Sequence, residues 1–445
     1  MTLLSKLKLK TIETNCADYV HPWTASCSDA WAELFLFAFQ DALRINTTAY
    51  LVALLMRGRV PSKKDIKHTI LGIIQSSIFL SCHAFGYSVT LCTLRKCLGG
   101  FNVLTASFIP SFLSSICAIL IERPSRRSLL SLYVTNVASE TLFHMCVWRG
   151  WLKPIRHGEV FIFTVSVAFL SYCYRSKHND KDSIYSLLRF FIGPCEENGY
   201  TKRDVAALAD SPPKKRNIVL QKLNNVLDYI KKLKSHPTCP HNNSCTFYSL
   251  QGFSKLFLLG YGLQISLNLL LQMKRIVRKP SMIPQIFFKK DTLRLGAFFG
   301  GFSALYRAMS CLLRCQFGFD DELLAVPAGV VGGLAFCFFR DNTVALYMMW
   351  KSLQILYNLG TGKGYVPELP QASIFFHCLS TAVLFHAALL EPHNLRSSYW
   401  KFLCSMSGGR IIDMDRVCLD SFGLQSTKSL EATLRKHKML PRTSS

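Results

Sequence analysis

The chain alternates between long apolar stretches and shorter polar segments. The stretch from Val103 to Ile121 carries no formal charge, and neither does the longer one from Thr69 to Leu94. A bilayer core of about 30 Å is crossed by roughly 20 such residues in a helix, and these stretches lack the polar stripe of a soluble amphipathic helix. Ten apolar stretches, some of which carry one or two charged residues, predict membrane spans, five in each half: 34–56, 68–94, 102–121, 128–148 and 159–174, then 251–272, 293–313, 323–339, 342–358 and 372–390.

The composition supports an all-α integral membrane protein. Half of the residues are apolar and 18% are charged, whereas soluble domains carry about a quarter charged residues. The net charge of +25 is concentrated between the apolar stretches, where basic side chains orient helices and contact anionic head groups. The lipid bilayer is therefore the expected partner. Nucleic acid is not, because no basic domain with a binding motif is present.

The two halves of the sequence resemble each other. An offset of 214 positions places Glu140-Thr-Leu-Phe on Gln354-Ile-Leu-Tyr, and a slightly larger offset upstream places Arg95 on Arg314. A register held over some fifty residues indicates a duplication, and transporter sites often lie at the interface between repeats. The predicted fold is two related helical-bundle repeats of about four to five spans each. Five spans would make the repeats inverted and an even number parallel; the basic loop after the first span of each half favours parallel repeats.

This pattern divides the chain into five predicted regions. They are a Cys/His N-terminal segment (1–33), a first membrane repeat (34–195), a polar linker (196–249), a second membrane repeat (250–406) and a polar C-terminal tail (407–445). Within the linker, Arg216 to Lys234 is predicted to form a basic helix with apolar residues at a and d spacing. It would pack on its own protein, lie on a membrane surface or bind a partner.

Glycines recur at four-residue spacing in the second half. Gly296 and Gly300 form one such pair and Gly329 and Gly333 another, and small residues at this spacing let helices approach closely in lipid. The order of Arg314, three acidic residues and a glycine-striped span resembles the Tim translocase channel family of the mitochondrial inner membrane. The alternative is tight helix packing without a channel.

Several ionisable residues fall within or beside the predicted spans. Glu140 and His144 lie four residues apart on one helical face, and ionisable residues within a membrane are usually functional. Together with Arg95 and Arg314, they are candidates to line a polar pathway. A polar clamp between helices is the alternative for Glu140.

A cysteine and histidine cluster precedes each half. The first contains Cys16, His21 and Cys27, and the second contains His236, Cys239, His241 and Cys245. Cys239, His241 and Cys245 are weak candidates for tetrahedral zinc, because their spacing is not a standard one. Metal binding, a disulfide and free thiols all stay open, and in parallel repeats the two clusters would lie on one face and could meet.

The sequence lacks the nucleotide-binding, hydrolase and metalloprotease motifs that would indicate an enzyme. No catalytic residue and no cofactor are therefore expected.

Longer strings of residues resemble the transmembrane protein 135 family, also called peroxisomal membrane protein 52. The resemblance runs from about Cys16 to Leu403, and the strings that carry it are Ile119–Leu130, Glu140–Phe143, Gly158–Val160, Leu295–Phe298, Asp320–Leu323 and Arg396–Leu403. It implies a multi-pass protein of peroxisomal and mitochondrial membranes and of lipid droplets. It also implies roles in mitochondrial fission–fusion balance through a dynamin-related GTPase, in peroxisome organisation and in lipid and cholesterol metabolism. The alternative function is a channel or transporter that passes small solutes or lipids along the interface between the repeats.

Overall fold

The computed structural model describes residues 11–56, 61–176, 183–197, 228–231, 236–241, 243–279 and 289–437, together with the isolated residues 284 and 287. Within these ranges the chain is helical and forms no strand beyond an isolated bridge between Ile12 and Phe101. The prediction of an all-α protein is therefore confirmed for the described part of the chain. Most of the predicted Arg216–Lys234 helix lies outside the described residues.

The helices follow the predicted apolar stretches closely. They are α1 (Cys16–Tyr19), α2 (Cys27–Met56), α3 (Lys63–Leu98), α4 (Ile109–Ile121), α5 (Pro124–Trp148), α6 (Gly158–Arg175), α7 (Ser183–Ile192), α8 (Cys245–Arg278), α9 (Lys290–Phe317), α10 (Ala325–Gly333), α11 (Asn342–Gly362), α12 (Ala372–Leu390), α13 (Ser397–Met406), α14 (Arg410–Asp413), α15 (Val417–Asp420) and α16 (Ser426–His437). A π-helical turn (Leu104–Phe108) leads into α4, and 3₁₀ turns (Glu322–Leu324 and Leu334–Phe338) flank α10.

Local sequence sets the ends of the long helices. Ser62 and Asp65 form a capping box at the start of α3, which satisfies two backbone N–H groups that the first turn leaves unpaired. Gly99 ends α3 and Gly318 ends α9, each in the left-handed conformation with φ of 74°. Glycine adopts this conformation without the steric penalty that a side chain brings.

Three helical segments of the described chain are long and apolar enough to cross a membrane: Lys63–Leu98, Leu104–Ile121 and Ala372–Leu390. Large apolar side chains also face outward, and on α3 alone Ile66, Ile70, Leu71 and Ile74 are each more than 40% exposed. Soluble monomers rarely expose contiguous apolar surface of this kind. These findings indicate a membrane protein, while four to five spans per repeat stays a prediction.

The chain divides into two compact units that do not follow the two sequence halves. Unit 1 comprises Met1–Pro154 and Glu368–Ser445, and unit 2 comprises Ile155–Pro367. In unit 1, α12 from the second half packs against α4 and α5 of the first half. In unit 2, α6 from the first half packs against α10 and α11 of the second half. Each unit therefore contains four long helical segments of one half and the fifth of the other.

This arrangement differs from the predicted division into repeats at 34–195 and 250–406. Close backbone packing accounts for it in unit 2, where a Cβ atom added to Gly329 would lie 2.7 Å from the Cα atom of Ala168. A Cβ atom on Gly333 would lie 2.9 Å from the Cα atom of Thr164. These two predicted packing glycines thus allow α10 to approach α6 closely. They lie at a contact between helices from different halves of the sequence.

Helix boundaries in the two halves show the same offset as the sequence. The first residues of α6 and α12, Gly158 and Ala372, are 214 positions apart, and α7 and α13 begin with the same separation. The residues just before α6 and α12, His157 and Gln371, both have positive φ, at 61° and 62°. The two halves therefore share local backbone conformation as well as sequence.

The predicted polar tail is not simply solvated. Residues 410–437 form α14, α15 and α16 with intervening turns, and they bury Ile411, Leu419 and Leu434. Ile411 and Leu419 belong to the hydrophobic core of unit 1. Burial of Ile411 and Leu419 in this core holds the segment against the unit.

Candidate functional site

The first cysteine and histidine cluster lies in unit 1. Cys16 begins α1, Cys27 begins α2, and Cys92 lies near the end of α3. Their Sγ atoms all lie within 4.8 Å of one another. The Nε2 atom of His21, a buried side chain, is 3.2 Å from Cys27 Sγ. Three thiols and one imidazole therefore converge; we call this group the N-terminal cluster.

The second cluster lies in unit 2 and has the same composition. Cys239, His241, Cys245 and Cys311 each direct a ligand atom into one space, with all four atoms within 4.8 Å of one another. Cys239 Sγ is 3.8 Å from Cys245 Sγ, and His241 Nε2 is 3.3 Å from Cys311 Sγ. Cys239, His241 and Cys311 are at most 5% exposed. We call this group the central cluster.

The two clusters are built on the same elements. Cys27 and Cys245 are the first residues of α2 and α8, the first long helix of each half. Cys92 and Cys311 each lie six residues before the end of the second long helix, α3 or α9. Cys92 and Cys311 each begin the same pattern, Cys-x-x-Arg-x-x-x-Gly, and the glycine of this pattern ends the helix.

The histidines are oriented in the same way. His21 Nδ1 lies 2.8 Å from the backbone carbonyl oxygen of Thr24, and His241 Nδ1 lies 2.5 Å from that of Asn243. A carbonyl oxygen only accepts hydrogen bonds, so Nδ1 carries the proton in a neutral ring. The lone pair of Nε2 is then directed at the thiols, the arrangement that metal-bound histidines usually show.

One thiol in each cluster is acidified. Hydrogen bonding to Cys92 lowers the pKa of Cys16 to about 6 against the opposing effect of burial, and His21 and Arg95 contribute further. In the central cluster, hydrogen bonding to Cys311 lowers the pKa of Cys239 to about 4, again against burial and with help from His241. The thiolate is the form that binds metal ions.

The structure thus brings together the three weak metal candidates Cys239, His241 and Cys245, and it likewise joins Cys16, His21 and Cys27. His236 is not part of the central cluster; its Nδ1 lies 2.6 Å from Thr238 Oγ1. Each cluster is complete within its own unit. The sequence analysis missed Cys92 and Cys311, although the repeated Cys-x-x-Arg-x-x-x-Gly pattern could have revealed them.

Arg314 lies in a buried network of charges in unit 2. Its Nη1 and Nη2 atoms donate to Glu196 at 3.1 and 2.6 Å, and its Nε donates to Asp320 Oδ1 at 2.9 Å. Arg314 and Glu196 are each 1% exposed, and Arg175 also pairs with Asp320. Burial opposes ionisation of Asp320, but Arg314 and Arg175 outweigh it and lower its pKa. The network joins α6 and α9 to the chain segments that follow α7 and α9.

The other three polar-pathway candidates lie in unit 1 and each contacts a neighbouring segment. Arg95 Nε donates to the carbonyl oxygen of Thr14 at 2.8 Å. Glu140 accepts from Arg396 Nε at 2.7 Å, and His144 Nδ1 lies 3.1 Å from the carbonyl oxygen of Asn394. Glu140 and His144 therefore hold the segment between α12 and α13 against α5.

The remaining predicted packing glycines lie where α9 contacts α8. A Cβ atom on Gly296 would be 2.9 Å from the backbone oxygen of Phe257, and one on Gly300 would be 2.9 Å from that of Phe253. Any larger residue would separate the two helices.

Unit 1 also contains an apolar cavity of about 300 Å³ between α3, α5, α12 and α13. Phe79, Phe385 and Phe402 contribute to its wall, and His83 and His377 are among its few polar lining residues. A cavity of this size lies at the lower end of the range for small-molecule sites, about 300–1,000 Å³.

No solved structure matches the chain. The resemblance of the second half to the Tim translocase channel family stays a prediction. Residues 13–147, which include every residue of the N-terminal cluster, match the family described as the N-terminal cysteine-rich region of Transmembrane protein 135.

Proposed function

We propose that the whole chain belongs to the transmembrane protein 135 family and works as a non-enzymatic, multi-pass protein of peroxisomal and mitochondrial membranes and of lipid droplets. Its proposed role is to regulate lipid and cholesterol metabolism, mitochondrial fission–fusion balance and peroxisome organisation. The observation that carries the proposal is the match of residues 13–147 to that family's cysteine-rich region. The further stretches of sequence that resemble the family, the last of which ends at Leu403, extend the proposal to the second half of the chain.

The cavity of unit 1 supports the lipid part of this role. Its lining is predominantly aromatic and aliphatic, and it lies between helices that include two candidate membrane spans, α3 and α12. An apolar cavity with a few polar groups is suited to a molecule with a hydrocarbon body and one polar end. A sterol or a fatty acyl chain has this chemistry.

Photo-crosslinking tests the lipid role directly. The full-length protein in bilayer vesicles is irradiated with diazirine derivatives of cholesterol and of a fatty acid, and labelled peptides are identified by mass spectrometry. We expect labels on α3 and α12 beside the cavity. Ala84 lines the cavity, so Ala84→Phe should reduce this labelling several-fold by filling the space.

Leu71→Phe is the matched control, because Leu71 lies on the same helix and is 49% exposed. It should leave labelling of the cavity unchanged. Labels spread evenly over outward faces, with no effect of Ala84→Phe, would exclude lipid binding in this cavity.

The proposed role in organelle organisation involves a dynamin-related fission GTPase as partner. The predicted basic helix Arg216–Lys234 is the segment assigned to its recruitment. Full-length protein and a variant lacking 210–236 are expressed in cells, and recruitment of the GTPase to mitochondria is imaged. Recruitment should fall with the deletion; equal recruitment would remove the adaptor role.

The second candidate function is a channel or transporter for small solutes or lipids. Burial of ionisable residues within apolar helices favours it, because such residues are costly in a membrane and usually functional. Flux through proteoliposomes should then fall in Glu140→Gln and persist when 210–236 is deleted. Unchanged flux in Glu140→Gln would exclude Glu140 from a solute pathway.

A further inference from the structure

We propose that each unit holds one structural zinc ion, bound by the three cysteines and one histidine of its cluster. The ligands are Cys16, His21, Cys27 and Cys92 in the N-terminal cluster, and Cys239, His241, Cys245 and Cys311 in the central cluster. This inference does not rest on the proposed function, since it concerns the chemistry of the clusters alone.

Interatomic distances in the central cluster suit a single tetrahedral ion. With Zn–S of about 2.3 Å, two sulfur ligands of a tetrahedral site lie ~3.8 Å apart, and with Zn–N of about 2.0 Å a sulfur and a nitrogen lie ~3.5 Å apart. Cys239 and Cys245 are 3.8 Å apart at Sγ, and His241 Nε2 is 3.3 Å from Cys311 Sγ. In the N-terminal cluster, His21 Nε2 is 3.2 Å from Cys27 Sγ. A disulfide requires about 2.05 Å between sulfurs, so Cys239 and Cys245 stand at the spacing of two ligands of one ion.

The donor set indicates zinc in a structural role. Thiolate and imidazole ligands suit zinc, whereas calcium and magnesium take oxygen ligands. Four protein ligands complete the tetrahedron and leave no position for substrate, which distinguishes a structural site from a catalytic one. Three thiolates and Zn²⁺ carry one net negative charge.

The same group of side chains occurs in both units. In both copies three Sγ atoms lie within 4.8 Å of one another, and a histidine Nε2 atom contacts one of them: His21 contacts Cys27 and His241 contacts Cys311. Each copy takes one cysteine from the start of the first long helix and one from the end of the second, and each imidazole is held through Nδ1. Duplication of the halves accounts for the shared positions. In each copy the histidine Nε2 atom also lies within 3.3 Å of a thiol, which is the close contact that a shared ligand requires.

Each ion would join two separate pieces of chain. In unit 2 it would connect the stretch from Cys239 to the first residue of α8, Cys245, with the last turns of α9. In unit 1 it would make the same connections to α2 and α3. Metal binding would therefore fix the start of the first long helix of each pair against the end of the second. Removing the metal should loosen both of these helix ends.

Metal analysis of the intact protein provides the test. The full-length chain is purified in detergent through a tag without histidines, and bound metals are quantified by mass spectrometry. We expect two zinc ions per chain, one in Cys92→Ala, one in Cys311→Ala and none in the double variant. Cys97→Ala and Cys315→Ala are matched controls on the same helices; both cysteines are exposed, and both variants should keep two ions.

A conservative substitution separates ligand loss from misfolding. His241→Cys supplies a thiolate and should retain two ions, whereas His241→Ala should retain one. Cobalt exchanged into the wild-type protein should show the intense visible absorption of tetrahedral thiolate coordination, reduced by half in Cys311→Ala. A wild-type chain without zinc, zinc content unaffected by Cys92→Ala and Cys311→Ala, iron in place of zinc, or a disulfide within either cluster would each overturn the proposal.

Discussion

Replacing Arg314 with methionine should strongly destabilise unit 2. The substitution leaves the Glu196 carboxylate, which is fully buried, without the two hydrogen bonds it accepts from the guanidinium. Removing one partner of a buried ion pair costs about 3–5 kcal/mol, because an uncompensated charge stays inside the protein. Methionine preserves much of the apolar volume of the arginine side chain, so the loss of charge dominates.

Thermal unfolding of the full-length protein in detergent provides the measurement. For a domain of about 150–250 residues, 1 kcal/mol shifts Tm by roughly 2–4 °C, so Arg314→Met should lower the Tm of unit 2 by about 6–20 °C. Limited proteolysis followed by mass spectrometry can assign the transition to residues 155–367, which form this unit. The double variant Arg314→Met/Glu196→Gln should recover part of the loss, since it removes both charges.

Arg189→Met is the matched control in the same unit. Arg189 pairs with Glu197 at 3.5 Å, but its side chain is 56% exposed, and exposed pairs contribute about 0–1 kcal/mol. If Arg314→Met lowers Tm no more than Arg189→Met does, the buried network is not structural. Loss of flux with an unchanged Tm would instead favour a role for Arg314 in a solute pathway.

Three further expectations follow from packing and charge. Gly329→Ala should destabilise unit 2 by about 1–3 kcal/mol, because the added Cβ atom overlaps the backbone of α6. In the control Gly262→Ala the added Cβ atom meets open space, so the Tm should be unchanged or higher. Equal losses of Tm in the two variants would show that the contact at Gly329 is not tight. Glu140→Gln should lower the free energy of unfolding of unit 1 by about 1.5–3 kcal/mol, because it removes the charge from the hydrogen bond that Glu140 accepts from Arg396. The loss is measured as a fall in the Tm of unit 1, and an unchanged Tm would show that this hydrogen bond does not hold the segment before α13 against α5. The pKa of Asp320 lies below its usual value of 3.8, so the stability that its carboxylate contributes is complete above about pH 4 and is lost as pH falls through the lowered pKa. Asp320→Asn should therefore flatten the dependence of Tm on pH in the acid range. If the variant and the wild-type protein show the same dependence, this carboxylate does not contribute to stability.

The sequence analysis located helices better than it located domains. The prediction for 372–390 coincides with α12, and that for 342–358 lies within α11. Apolar stretches of this length are helical because a bilayer leaves backbone N–H and C=O groups no other hydrogen-bond partners. The division into units was not predictable in this way, since α6 and α12 are as apolar as the helices of their own halves.

The cysteine clusters show the same limit. Cys239, His241 and Cys245 are close in sequence, so their spacing alone makes them candidate ligands. Cys311 lies 66 residues after Cys245, and only the pattern that it shares with Cys92 distinguishes it from other cysteines in apolar helices. Only the pairing of α9 with α8 brings its thiol to the cluster.

The sequence by itself therefore determined the helical content, the membrane character and the 214-residue offset between halves, because these depend on local hydrophobicity and on matching residues. The tertiary structure decided which helices associate, where α6 and α12 pack, and which distant thiols complete each cluster. The physical reason is that hydrophobicity does not select partners among equally apolar helices in lipid. Close contacts at small residues such as Gly329, together with buried pairs such as Arg314 and Glu196, make that selection.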